Sequence, residues 1–334
     1  MAAVPKAITS PPPGHIDHAF ALHHLWNFKV NSRRYPDTSH VRVRAIKSTF
    51  TAEGALCGAT LHVPEDTRID QQLPAILMLG GWGSVQMAMT SSFTHSFVEA
   101  GFAVMEFDYP GWGASGGFPR QGINPWRRTR VADTALAHLK SLPMVDAHQI
   151  TLWGTSFGGG HVVDLASQHP ELTGAIIQVP MLDGRAATFA TPLGRLLKLS
   201  MLGLLDLIKP GALIYVPTIS REGEFGTMDR DGAWDAMERA MAALPHLGYD
   251  NRVAAKSALT MPFYRPWLRL KDVKVPMLMI GATGDTVAPF VSDKVRRVGN
   301  PNVQVIEIDA DHFDPYFDPL FPEVLAHQLK FLRR

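Results

Sequence analysis

Six short runs of apolar residues, at 75–79, 102–107, 149–153, 175–179, 276–280 and 303–308, constrain this chain more than any other feature. Each is nearly continuous in apolar side chains. That is the pattern of a strand covered on both faces, as parallel strands are when their crossovers are helices. Helical patterns fall between the runs. Residues 125–142 place Val131, Ala135, Leu139 and Leu142 at three- and four-residue spacing, and 157–169 also reads as a helix. Strand and helix in alternation predict an α/β, doubly wound, mostly parallel sheet. Ahead of the first run, two extended segments within 41–63 are separated by 51–54, which predicts an antiparallel hairpin feeding the sheet edge.

The alternation stops after Val179. From 182 to 267 no buried-strand pattern appears, and so long a stretch must have structure of its own. It is expected to be a helical cap inserted into a core formed by 41–181 and 268–334, with 1–40 as a tail and lead-in. The apolar 196–208 stretch and the face of Met237, Met241 and Leu244 are expected to be cap core, with the wall of an apolar pocket as the alternative. Lys198 and Asp206 make 196–208 too short and too polar to span a bilayer. Residues 1–14 carry only Lys6 as a charge and end in three prolines, without the apolar centre of a signal peptide. With 32 basic and 31 acidic side chains, a net charge of +1, the chain lacks the basic surplus of a nucleic-acid binder, and 46% hydrophobic residues exclude a disordered one. The single cysteine, Cys57, forms no internal disulfide and leaves no Cys/His cluster for a structural zinc. Cytoplasmic residence is the simplest expectation.

The run at 149–153 leads directly into Gly154-Thr155-Ser156-Phe157-Gly158, and a glycine-rich helix start follows. A sharp strand-to-helix turn needs small residues two positions either side of the serine, and it lifts the Ser156 hydroxyl into a cleft. Serine is a poor nucleophile until a base takes its proton, so a histidine oriented by a carboxylate is required at later strand ends. Asp285 follows the run at 276–280 and His312 follows the last run, giving the order Ser156, Asp285, His312. An oxyanion formed on the attacked carbonyl needs two amide donors. Phe157, directly after the serine, offers one; Trp82, in Gly80-Gly81-Trp82-Gly83-Ser84 after the run at 75–79, is assigned the other.

These stretches together resemble an α/β-hydrolase of the dienelactone-hydrolase-like branch, which includes fungal polyketide transferases and thiohydrolases. The resemblance extends from about Val41 to the C-terminus. Beyond the elbow, at 152–161, it is carried by Phe-Asp-Tyr-Pro-Gly-Trp-Gly-Ala-Ser at 107–115, Gln-Val-Pro-Met-Leu-Asp at 178–183, Pro-Phe-Tyr-Arg-Pro at 262–266, Gly-Asp-Thr-Val-Ala-Pro at 284–289 and His-Phe-Asp-Pro-Tyr at 312–316. It implies cleavage or transfer of esters and thioesters without metal or other cofactor, the triad being carried onto Ser156, Asp285 and His312. Relatives usually begin the oxyanion loop with His-Gly, whereas Gly80 stands in the histidine position here.

Other features compete for a role. Gly111-Trp-Gly-Ala-Ser-Gly116 matches a dinucleotide fingerprint, but Gly117, Phe118 and Pro119 continue as loop where a Rossmann helix would begin. Arg120 and Gln121 are expected in a surface loop, with substrate contact as the alternative, and His161 is expected to pack behind the nucleophile. Asp183 is an alternative triad acid, while Asp311 and Asp314 lie too close to His312 in sequence to orient it. The expected activity is hydrolysis of esters or thioesters of an apolar acyl group. The alternative is acyl transfer from a carrier thioester, with an acyl carrier protein as partner. A peptidase or a non-catalytic binding protein ranks lower; a dehalogenase would carry aspartate in place of Ser156.

Overall fold

The structure is a computed structural model that describes residues 41–209, 213–230, 232–243 and 249–334. The tail expected over 1–40, and Leu244, lie outside the described residues. The strands in chain order are β1 (Val43–Ala52), β2 (Ala55–Pro64), β3 (Leu73–Leu79), β4 (Ala103–Phe107), β5 (Val145–Thr155), β6 (Gly174–Gln178), β7 (Tyr215–Pro217), β8 (Arg252–Ala254), β9 (Met277–Ala282) and β10 (Val303–Ile308). Eight of them form one sheet in the order β1-β2-β4-β3-β5-β6-β9-β10. Its first two pairings, β1 with β2 and β2 with β4, are antiparallel, and the rest are parallel. The mostly parallel α/β sheet read from the apolar runs is therefore the architecture observed, with the hairpin at its edge.

The helices are α1 (Ser91–Glu99), α2 (Pro125–Lys140), α3 (Phe157–Ala166), α4 (Gly184–Ala190), α5 (Leu193–Ile208), α6 (Ala233–Ala243), α7 (Ser292–Val298) and α8 (Phe321–Leu332). Alternate side chains of each strand enter opposite cores. On β3, Ala75, Leu77 and Leu79 pack with Val131 and Leu136 of α2 and Val162 of α3. Ile76 and Met78 pack on the other face with Phe93 and Phe97 of α1 and Val324 and Phe331 of α8. Helix α2 begins cleanly because the Asn124 side chain accepts the Arg127 N–H at 2.9 Å and Pro125 supplies a preset φ at the first turn.

The segment 182–267 departs from the helical expectation. It holds α4, α5 and α6, and also the two-stranded β7–β8 sheet and 3-10 turns at Ala255–Phe263. Nor is 196–208 an interior stretch. In α5 only Leu199, Gly203 and Asp206 are buried, while Leu197, Met201, Leu204, Leu207 and Ile208 are exposed. The buried Asp206 explains this register: its carboxylate accepts the N–H groups of Ile214 (3.0 Å) and Lys256 (3.1 Å), which fastens one face of the helix to the backbone at these two residues and turns the leucine-rich face outward. In α6 the buried positions are Ala233, Ala236 and Ala240, with Met237 and Met241 half-buried. No helix of the described residues is long and apolar enough to cross a membrane.

Candidate active site

The sheet order places β3 between β4 and β5. The chain therefore leaves β3 toward one side and returns on the other, and the loops after β3 and β5 part to leave a crevice at the carboxyl edge. Residues 80–84 leave β3 there, and the Ser156 turn leaves β5.

Ser156 has φ 53° and ψ −124°, a backbone region that L residues seldom adopt. Its surroundings hold it there. The Ser156 N–H donates to the Gln178 carbonyl at 3.1 Å, and the Ser156 carbonyl accepts the N–H groups of Gly159 (3.0 Å) and Met181 (2.9 Å). The flanking glycines are steric requirements: a Cβ on Gly158 would lie 2.0 Å from the Leu79 carbonyl oxygen, and one on Gly154 would lie 2.7 Å from that of Gly158.

Ser156 Oγ is 3.0 Å from His312 Nε2, and His312 Nδ1 is 2.6 Å from Asp285 Oδ2. All three side chains are buried. The other oxygen of Asp285 accepts the Val287 N–H at 2.9 Å and the Ala288 N–H at 2.6 Å, which fixes the carboxylate plane. The loops bearing Asp285 and His312 are tied together, because Gly284 N–H donates to the Ala310 carbonyl at 3.0 Å. The structure thus brings Ser156, Asp285 and His312 into one hydrogen-bonded line, from three strand ends.

The other acids near this line are engaged elsewhere. Asp311 accepts the His312 N–H at 2.6 Å, and Asp314 accepts the Asp311 N–H at 2.7 Å, so both shape the loop and leave the ring to Asp285. Asp183 caps α4 by accepting the Arg185 N–H and pairs with Lys294. His161 is fully buried behind Phe157, with Nδ1 2.9 Å from the Tyr264 hydroxyl; burial holds its pKa well below the ordinary histidine value. The glycine-rich 111–116 loop wraps a carboxylate of this chain: Asp108 accepts the Ala114 N–H at 2.9 Å, and a Cβ on Gly113 would meet that carboxylate at 2.3 Å. Arg120 closes the loop by donating to the Ser115 carbonyl at 2.5 Å, and Gln121 is buried, donating to the Asp250 carbonyl at 2.9 Å.

Phe157 is the first residue of α3, where a helix leaves amide donors without intrahelical partners and concentrates positive potential. Gly81 sits against the serine: a Cβ there would lie 3.2 Å from Ser156 Cβ. The Trp82 ring meets Phe157 edge to face at 5.3 Å, and its indole N–H donates to Thr227 Oγ1 at 3.1 Å, joining this loop to the inserted segment. Beyond the loop, burial pushes the carboxyls of Glu106 and Asp108 above their ordinary values. Three donors that end at Glu106, from Met87 N–H and the hydroxyls of Thr90 and Thr94, hold the chain after Ser84 in place.

Ser156 opens onto a cavity of about 340 Å³. Trp82, Phe157 and Met181 line its sheet side; Leu196, Leu199, Met261 and Phe263 line the side contributed by 182–267; Val287 and Ala288 close it near Asp285. Its lining is mostly apolar, with Asp229 and Arg230 as its charged residues. Sequence reasoning did not single out Thr227, Arg230 or Arg128. Arg128 alone carried a signal, a cation in step with the apolar stripe of α2.

A family model described as serine aminopeptidase, S33, matches residues 74–308. The quorum-quenching protein AidA of Acinetobacter baumannii is 30% identical over 292 residues, covering 85% of this chain and 93% of that protein. The polyketide transferase grgF of a Penicillium species is 26% identical over 79% of this chain and 89% of its own length, and its crystal structure superposes with a TM-score of 0.66 over 87% of this chain and 98% of that chain. The structure of protein PA2218 from Pseudomonas aeruginosa gives a TM-score of 0.73 at 20% identity, over 93% of this chain and 99% of that one.

Proposed function

The chain belongs to the serine aminopeptidase S33 family of α/β-hydrolases, and from that premise we propose that it cleaves carboxylic esters or thioesters of an apolar acyl group through an acyl-serine intermediate. The observation that carries this reading is the unbroken line from Asp285 through His312 to Ser156, ending at the mouth of an apolar cavity.

His312 Nε2 takes the hydroxyl proton of Ser156 as Oγ attacks the acyl carbonyl. The resulting oxyanion is held by the amides of Phe157 and Trp82. Asp285 keeps the Nδ1 proton on His312, so that Nε2 is the basic nitrogen, and stabilises the imidazolium once it forms. Collapse of the tetrahedral species breaks the bond to the alcohol or thiol, which leaves with the proton from Nε2. A water molecule, deprotonated in turn by His312, attacks the acyl-serine and releases the acid with Ser156 restored. The apolar cavity accommodates the acyl chain, its volume favouring a medium-length one.

Ser156→Ala is expected to abolish p-nitrophenyl ester turnover and covalent labelling by a fluorophosphonate; labelling retained on another serine would refute the assignment. The name of the grgF relative favours a second reading, acyl transfer, which uses the same acyl-serine with an alcohol or amine in place of water. Competition between water and an added alcohol for the acyl group distinguishes the two.

A further inference from the structure

Neither Gly80 nor Gly81 has a side chain that could hold the peptide between Gly81 and Trp82, yet that peptide must point one way if its N–H is to meet an oxyanion. What holds that peptide comes from α2. Arg128 is 3% exposed and lies on the same helix face as Val131, Ala132 and Ala135, and its Nη1 donates to the Gly81 carbonyl at 3.1 Å. The Ser84 N–H reaches the same oxygen at 3.3 Å. The guanidinium lies over the rings of Tyr109 (4.3 Å) and Trp112 (5.3 Å), and among the described residues no carboxylate pairs with it. Burial lowers its pKa to about 10, so it remains a cation at neutral pH. A buried cation without a counter-ion is costly, and an apolar side chain of similar reach would fill the same space without that cost. Among the described residues, the one hydrogen bond this charge makes is to the Gly81 carbonyl.

In a trans peptide the carbonyl and the N–H of the same unit point in opposite directions. Pinning the Gly81 oxygen toward α2 therefore directs the Trp82 N–H away from it. A cation at the oxygen end also polarises the unit and strengthens the N–H as a donor. We propose that Arg128 is a positioning residue for the acylation and deacylation of Ser156: through the Gly81 carbonyl it orients and polarises the Trp82 amide toward the oxyanion, holding a peptide that the two glycines before it cannot hold. This rests on the serine-hydrolase reading above and adds to it a residue that touches no reacting atom.

The test compares Arg128→Met and Arg128→Lys with the wild type, using p-nitrophenyl butyrate as substrate and a trifluoromethyl ketone, whose hemiketal carries the oxyanion, as inhibitor. Removing an oxyanion donor outright costs about 10²–10³ in kcat. Loosening one is expected to lower kcat by about 10–100-fold in Arg128→Met, with KM changed by less than about 3-fold and ketone affinity falling in parallel with kcat. Arg128→Lys, which keeps the charge and one donor, is expected to recover most of the loss. An unchanged kcat and ketone affinity in Arg128→Met, or a lowered melting temperature with kcat per labelled site unchanged, would overturn the proposal. If Arg128→Met does not fold, Arg128→Lys decides alone: a few-fold fall in kcat matched by ketone affinity supports the proposal, and no change in either overturns it. The underlying reading fails separately, if the wild type turns over no ester or if Ser156→Ala retains turnover.

Discussion

Ser156 occupies a left-handed backbone conformation only because the chain on both sides of it has no side chains in the way. Gly158 is the tighter of its two glycines, since its missing Cβ would overlap a backbone oxygen of β3, which cannot rotate aside. Gly158→Ala is expected to destabilise the protein by more than about 3 kcal/mol, at or beyond the upper end of overpacking costs, measured by urea unfolding; an ordinary midpoint would show that the turn can open without consequence. At this scale the sequence was informative wherever a residue type answered a steric or chemical requirement. The elbow was legible because its glycines, its serine and the preceding apolar run each had to be what they are, and Asp285 and His312 were legible as polar residues just past the last two strands, β9 and β10. Arg128 was not, because a cation within a helix is ordinarily read as part of a solvated face. The register of 128 with 131, 132 and 135 was the sign that this one points inward.

Helix α5 carries the corresponding lesson for elements. Its leucine-rich sequence reads as interior, yet its burial is decided by Asp206 and by Gly203, where a Cβ would lie 2.9 Å from the Leu259 side chain. Periodicity alone does not reveal which of two plausible faces a polar anchor selects. The two faces predict opposite responses. Leu199→Ala, at a position 7% exposed, is expected to cost about 2–3 kcal/mol in thermal or urea unfolding, whereas Leu204→Glu, at a position 53% exposed, is expected to stay within about 0.5 kcal/mol of the wild type. Equal losses at both sites would mean that the outward face is packed. The β7–β8 pair had no sequence signature because strands of three residues are too short to establish a period.

Across the whole molecule, the alternation of apolar runs and helical stripes sufficed to read the sheet, because its inner parallel strands are apolar on both faces; the run at 303–308 departs from that expectation, since β10 is an edge strand with Gln304 and Glu307 exposed. The interior also contains groups that periodicity does not explain. His62 on β2 is buried beside His95, and burial lowers its pKa to about 3. The unfolded chain takes up a proton on this imidazole near pH 6.5, while the folded protein does not until about pH 3. Between those values each unit of falling pH therefore costs about 1.4 kcal/mol of stability from this group. His62→Gln is expected to flatten the slope of unfolding free energy between pH 6 and 4, relative to the wild type; identical slopes would place the acid sensitivity elsewhere.

The cavity beside Ser156 has one wall from strand-end loops and another from the stretch interrupting the strand sequence. Under the function proposed above, the groups that react and much of the wall that would recognise the acyl group come from separable portions of the polypeptide. A change of taste, for a longer chain or a bulkier acid, can be written into one portion while the chemistry in the other goes untouched.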